Sequence, residues 1–363
     1  MNFKSSLILF FLIVSMLTLS GCAGNSQASA TSWPGLAVDD TTAYLAYNRH
    51  VYAVDITNGL EKWRFPTTED SKRSFYATPT LTQDGQLLAG SYEKILYSID
   101  PGSGVEKWNF SESVDRYIGA PLASEQAIFA PNSNDTLYAL DLQGNLRWPY
   151  TTSGPLWATP TSDPECNCIY LPSMDHTMYS IDAQSGKLNW QTPELGGSIV
   201  GTPAYDSGVL YTGTFANELL ALNANNGQII WKIPTQDWVW GGPVISNGIL
   251  YFGDLSGTFF ALDPNTGSIK WQQQYDGAIT QSPLVVDETI YFTTEAGSVY
   301  AVNLNGTTIW TKNLGEKAKL YTSPVKAGDL ILVATAHTGV DEFLVAFDTN
   351  GIQKWVFIPE AKK

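Results

Sequence analysis

The stretch YAVDITNGLEKW, from Tyr52 to Trp63, recurs along the chain. Aligned on its tryptophan, the further copies are YSIDPGSGVEKW (Tyr97 to Trp108), YALDLQGNLRW (Tyr138 to Trp148), YSIDAQSGKLNW (Tyr179 to Trp190), LALNANNGQIIW (Leu220 to Trp231), FALDPNTGSIKW (Phe260 to Trp271), YAVNLNGTTIW (Tyr300 to Trp310) and VAFDTNGIQKW (Val345 to Trp355). The eight tryptophans, Trp63, Trp108, Trp148, Trp190, Trp231, Trp271, Trp310 and Trp355, lie 39 to 45 residues apart, and each has a glycine four residues before it. In every copy an alternating run ends on Asp or Asn, a turn rich in Pro, Asn and Gly follows, and a short second run closes on the Trp. That is the pattern of a β-hairpin. The glycine supplies the positive φ of a tight turn, and Asp55 or its equivalents, two of them Asn (Asn223 and Asn303), can hydrogen-bond the turn backbone.

Two more strands precede each hairpin. A proline heads the first of them, at Pro34, Pro79, Pro121, Pro160, Pro203, Pro243, Pro283 and Pro324, and an apolar run such as VLYTGTF (Val209 to Phe215) forms the second. Each period is therefore a four-stranded antiparallel unit, with strands A to D. Such a sheet has two apolar faces and no helix to cover them, so neighbouring copies must stack face to face. A Trp repeated once per unit suits that junction, because burying one removes about 150 to 250 Å² from water. Four strands per period close radially, and the expected fold is an all-β, eight-bladed β-propeller of four-stranded antiparallel blades with Trp-docking motifs. The pattern Ala-x-Asp, Gly, then Trp resembles the pyrroloquinoline-quinone (PQQ)-like propeller repeat, and the resemblance runs from about Trp33 to Phe357. No Trp is followed by Asp, so the repeat does not resemble WD40. Every blade is complete in its own stretch, which leaves only residues 23–33 as a source of an added closing strand.

The domain reading is a signal peptide over 1–21, a linker over 22–32, the propeller over 33–358 and a tail over 359–363. The signal has one Lys, an apolar run from Leu7 to Leu19 and a small-residue stop, too short for a spanning helix. Its end, Leu19-Ser20-Gly21-Cys22, resembles the bacterial lipobox, which implies lipidation of Cys22 and an exported protein held on the cell envelope by acyl chains. Ala23 in place of Asp implies sorting to the outer membrane where there is one. The formal charge of −15 at pH 7 opposes nucleic acid and anionic headgroups as partners. Cys166 and Cys168 are close enough to form a small, reducible disulfide or to remain inert turn thiols. Three scattered His give no metal ligand set.

If the strands run up and down, the D-to-A connections and B-to-C turns share one face. The B-to-C turns place a carboxylate there in blades 2 to 8: Glu93, Asp135, Asp175, Glu218, Asp254, Glu295, and the pair Asp341 and Glu342, with Arg49 in blade 1. These acids serve their own turns, or they form a negative ring for a basic partner. Three residues before the A-strand prolines, blades 2, 4, 6 and 8 have Tyr76, Trp157, Trp240 and Tyr321. These rings pack between blades, or they floor the channel mouth for an aromatic ligand or extended peptide.

A quinoprotein dehydrogenase would need a planar sandwich, a calcium site and a carboxylate base. Family enzymes of that kind carry insertions and two adjacent cysteines, whereas these blades are short and Cys166-Asn167-Cys168 falls in an A-to-B turn on the opposite face. The chain is instead similar in plan to the propeller lipoproteins of the β-barrel assembly machinery. The expected function is a non-catalytic, lipid-anchored envelope scaffold for protein partners, with no cofactor and no metal. The alternatives are a surface ligand-binding or sensor propeller and a PQQ-dependent dehydrogenase.

Overall fold

The computed structural model describes residues 33–336 and 343–360, within one compact unit that begins at Trp33. The described residues form eight four-stranded antiparallel sheets, each in simple sequential order, and no helix. The fold is an eight-bladed, PQQ-like β-propeller. In blade 1 the strands are Gly35–Val38, Thr42–Tyr47, His50–Asp55 and Glu61–Phe65. Every A strand starts on the residue after its proline, from Gly35 after Pro34 to Val325 after Pro324. Among the described residues the ring closes without strand exchange, since blade 8 is built from Val325–Ala327, Leu330–Ala334, Leu344–Asp348 and Gln353–Phe357.

Burial follows the radial position of each strand. The B strand Thr42–Tyr47 is buried at every residue because both its faces meet neighbouring blades, which explains why it reads as a continuous apolar run. The outer D strand Leu146–Thr151 instead alternates between exposed and half-buried residues. Across each C–D pair the Trp faces a small residue, as in Ala53 with Trp63, Ser98 with Trp108 and Ala221 with Trp231, and a bulge follows directly after that pair. The Ala of the Ala-x-Asp phrase is therefore a space requirement set by the Trp across the ladder.

The Trp itself reaches into the next blade. The indole N–H of Trp63 donates to the Pro101 carbonyl at 3.0 Å, and those of Trp148, Trp190, Trp231, Trp271 and Trp310 donate to Gln184, Ala224, Pro264, Leu304 and Thr349 at 2.8–3.1 Å. Trp108 divides its bond between the Leu142 carbonyl and the Gln86 side chain. Each indole also lies on the glycine of the next phrase. A Cβ added to Gly104, at φ 73°, would come within 2.7 Å of the Trp63 ring. Gly104 is thus required twice, once for the turn and once for the neighbour's indole.

The same interaction closes the ring. Trp355 of blade 8 donates to the Ile56 carbonyl of blade 1 at 2.9 Å and lies against Gly59. The Thr322 hydroxyl donates to the Pro34 carbonyl at 2.6 Å, and Leu36, Leu45, Tyr47 and Tyr52 share a core with Leu332, Leu344, Trp355 and Phe357. Among the described residues no strand crosses this seam, which is held by side-chain packing and these hydrogen bonds.

The phrase's Asp or Asn caps its own turn in every blade. Asp55, Asp100 and Asp182 accept the backbone N–H of Thr57, Ser103 and Ser185 at 2.7–2.8 Å, and Asn223 accepts that of Asn225 at 2.9 Å. Hydrogen bonds from Thr57, Ser103 and Ser185 hold the three carboxyls below the ordinary value of 3.8. Their contribution is complete above the unfolded-state pKa and is lost as pH falls through the lowered folded-state value. A variant with Asp55→Asn, Asp100→Asn and Asp182→Asn should keep its fold at neutral pH and lose less stability than the parent below about pH 4, measured by urea unfolding across pH.

Trp231→Ala should cost roughly 3–5 kcal/mol. Thermal unfolding should show a large drop in midpoint against an exposed control, Gln273→Ala. An equal effect of the two would remove the fastening role of the indole.

Candidate functional site

The sequential antiparallel order puts the D-to-A connections and the B-to-C turns on one face of the disc, with the channel mouth at its centre. Trp33, immediately before the first A strand, stacks on Tyr321 of blade 8 at 4.7 Å and 15° and meets Trp240 of blade 6 at 5.0 Å. Blade 7, between those two, contributes the small, buried Thr280. The contacts continue from Trp240 to Phe215 at 5.1 Å and from Phe215 to Trp238 at 4.4 Å and 10°. A ladder of five rings thus crosses part of the mouth and ends at the exposed Trp238. The Tyr321 hydroxyl donates to Glu295 at 3.0 Å, which fixes the far end.

The four aromatic residues expected at the mouth do not share one floor. Tyr76 packs with Tyr92 at 5.0 Å and Tyr47 at 6.0 Å, and its hydroxyl donates to Asn48 at 3.1 Å. Trp157 is in neither group, and its buried indole N–H has no acceptor among the described residues. One ring every second blade is too widely spaced for the four to touch one another. Sequence reasoning missed Trp33, Phe215 and Trp238, which fill the gap from other turns. Trp33 is next to Pro34, where its only visible signal was a large ring at the entrance to blade 1.

The candidate acids have mostly local partners. Asp254 is fully buried and accepts the N–H groups of Gln236 and Thr258 at 3.1 and 3.0 Å and the Ser256 hydroxyl. It is therefore corrected from the interaction face to a turn residue, because an inward carboxylate satisfied by its own turn and by the neighbouring D-to-A connection has no surface to offer. Asp175 accepts from Ser153 N, Thr177 N and the Tyr179 hydroxyl at 2.7–3.0 Å. Glu93 contacts Tyr97 and lies 3.2 Å from Arg73; burial pushes its carboxyl up despite both partners. Glu218 pairs with Lys232 at 2.8 Å, and Glu295 with Lys319 at 3.6 Å. Asp135 stands at φ 65°, with its carbonyl taken by the Thr152 N–H. The ring is consequently mixed in charge. Asp341, Glu342, His337 and Cys22 lie outside the described residues. His50 is buried and bonded through Nδ1 to the Pro66 carbonyl at 2.9 Å, so it supports a strand end.

Cys166 and Cys168 form a disulfide at the tip of the A–B hairpin of blade 4, on the opposite face. Among the described residues no three His, Cys, Asp or Glu converge on a common point. Trp33 already lies on Trp240 and Tyr321, and the oxygens of Asp175 and Asp254 are taken by their own turns and by the Ser153 and Gln236 N–H groups of the D-to-A connections. These donors do not fit a calcium ion and a stacked quinone. Sequence reasoning weighed the outer D-strand edges as a surface for strand addition and set them aside as polar at KWRFPTT and KWNFSES; in other blades Leu188, Ile229, Ile230, Ile269 and Ile309 stand exposed on those strands.

The family model described as outer membrane protein assembly factor BamB matches residues 47–236 and 217–356. The chain belongs to this family. Among solved structures, BamB from Moraxella catarrhalis is similar at a TM-score of 0.70 and 17% identity, over 87% of this chain and 94% of that one. The computationally designed Ika8 protein is similar at a TM-score of 0.75 and 14% identity, over 88% and 96% of the two chains. A europium-containing methanol dehydrogenase is similar at 0.67 and 16%, over 83% and 81%. At these identities the likeness shows the fold. A curated relative, the tetrathionate hydrolase of Acidithiobacillus ferrooxidans, is 31% identical over 123 residues, which is 33% of this chain and 24% of that protein. The chain therefore spans about a quarter of that relative's length.

Within the family fold, Trp33 is held at the mouth by two ring contacts, each worth about 0.5–1.5 kcal/mol beyond area burial. Trp33→Ala should lower stability only modestly and expose Trp240. The expected readout is stronger acrylamide quenching of the remaining tryptophan emission, with an unchanged far-ultraviolet spectrum.

Proposed function

We propose that the chain is a non-catalytic, lipid-anchored interaction scaffold of the cell envelope, acting on protein partners in outer-membrane protein assembly. The observation that carries this reading is the BamB family match over residues 47–236 and 217–356, nearly the whole propeller. The partnered acids Asp175, Glu218, Asp254 and Glu295 and the regular blades agree with it, since a scaffold needs presented turns and edges while an enzyme needs converging unsatisfied groups. Cys22 is proposed as the lipid attachment point. Acyl chains contribute roughly 0.8 kcal/mol per buried CH₂, so two or more hold a protein stably on a bilayer.

A second reading is favoured by the ring ladder. An aromatic ligand or an aromatic side chain of an extended peptide would meet Trp240, Phe215 and Trp238, in competition with Trp33. An enzyme of the dehydrogenase type has less support, because the donors at the mouth do not fit calcium and a quinone.

Crosslinked purification of the lipidated protein from native envelopes should recover outer-membrane assembly factors; recovery of none would overturn the scaffold reading. Cys22→Ser should move the protein from the membrane to the soluble fraction. Purified protein supplied with calcium and pyrroloquinoline quinone should reduce no dye in the presence of alcohols or sugars, and turnover would replace the scaffold with an enzyme.

A further inference from the structure

The Cys166–Cys168 disulfide has one residue between its cysteines. In the chain-entropy account a crosslink stabilises in proportion to the logarithm of the loop it closes, so this one constrains very little of the unfolded chain. The hairpin beneath it is held without it. Thr161, Ser162 and Asp163 pair with Tyr170, Ile169 and Cys168, and the Tyr205 hydroxyl of the next blade donates to Asp163 at 2.6 Å. Tyr170 and Tyr205 stack at 5.8 Å. A structural staple is thus redundant at this place.

The two sulfurs have unequal surroundings. Cys166 is exposed at the turn tip beside Glu165, whereas Cys168 begins the B strand and is only 8% exposed. The Asn189 amide, on the outer D strand beyond the intervening C strand, donates to Cys168 Sγ at 3.7 Å. The Tyr170 hydroxyl lies 3.7 Å from Cys166 Sγ, so each sulfur has a polar neighbour and exposure is what distinguishes them. An incoming thiolate can therefore reach Cys166, and the sulfur that leaves has the Asn189 amide as a donor for its negative charge.

We propose that Cys166–Cys168 is a thiol–disulfide exchange site that accepts two electrons from a protein dithiol. The partner's thiolate attacks Cys166 Sγ, the Cys166–Cys168 bond breaks, and its electron pair stays on Cys168 Sγ, which takes a proton from water. The partner's second thiol loses its proton and attacks the partner sulfur of the mixed disulfide. Cys166 leaves as a thiolate and is protonated. The partner ends as a disulfide and this chain as two thiols, with atoms and electrons balanced. Glu165 beside the attacked sulfur and the net charge of −15 disfavour small anionic thiols and favour a neutral or basic protein dithiol.

The test uses the oxidised full-length protein without denaturant and a thioredoxin-type protein whose resolving cysteine is replaced by serine. Peptide mapping should place the trapped mixed disulfide on Cys166. Cys168→Ser should leave Cys166 open to alkylation in the folded protein, and Cys166→Ser should leave Cys168 protected until unfolding. Asn189→Ala should slow capture several-fold with no change in thermal midpoint, which a purely structural amide would not do. With the intact dithiol protein, both cysteines should become alkylatable and the thermal midpoint should hardly move. Exchange seen only above the unfolding midpoint, capture mapped to Cys168, or reduction by glutathione as fast as by the dithiol protein would each overturn the proposal.

Discussion

The contact on which the ring depends is an indole laid on a glycine. In each blade the Trp that ends the repeated phrase passes to the next blade, covers that blade's turn glycine and donates its N–H to a carbonyl in the same turn. The interaction combines apolar burial with a satisfied polar tip, so the ring edge carries no unpaired donor. It also couples three positions of the repeat. The glycine must lack a Cβ, the residue across the ladder must be Ala or Ser, and the turn must be tight enough to present its carbonyl.

Because the contact is directional from blade to blade, it also closes the circle. Blade 8 treats blade 1 as its next neighbour, through Trp355, Ile56 and Gly59. A propeller without strand exchange has no backbone ladder across its seam, and the core shared by Leu36, Tyr52, Trp355 and Phe357 replaces it. With the structural work done by C-to-D turns and the inner faces of the blades, three regions remain to differ from copy to copy: the mouth, the A-to-B tips and the outer rim. The ring ladder, the disulfide and the exposed isoleucines lie in these regions. Fold and function are thereby separable, which is how close structural relatives include an assembly factor and a dehydrogenase.

The architecture was legible because its determinants are local and repeated. Eight Trp–Gly spacings gave the blade count, and the prolines marked each A strand to the residue. The site was less legible. The spacing of Tyr76, Trp157, Trp240 and Tyr321 assigns them to one face, but which rings touch depends on residues brought in from other blades, above all Trp33 and Phe215. The acids read as a ring because period alone cannot tell an inward Asp254, held by its own turn and the Gln236 N–H, from an outward Glu218 paired with Lys232.

By itself the sequence determined the repeat, the strand order, the blade number and the two faces of the disc, since each follows from short-range periodicity and turn chemistry. Only the tertiary structure decided how the ring closes, which side chains meet across the channel, which carboxylates are buried and which of two neighbouring cysteines faces solvent. Those outcomes depend on contacts between residues far apart in the chain. Nearly identical phrases acquire different surroundings when each meets a different neighbour in space.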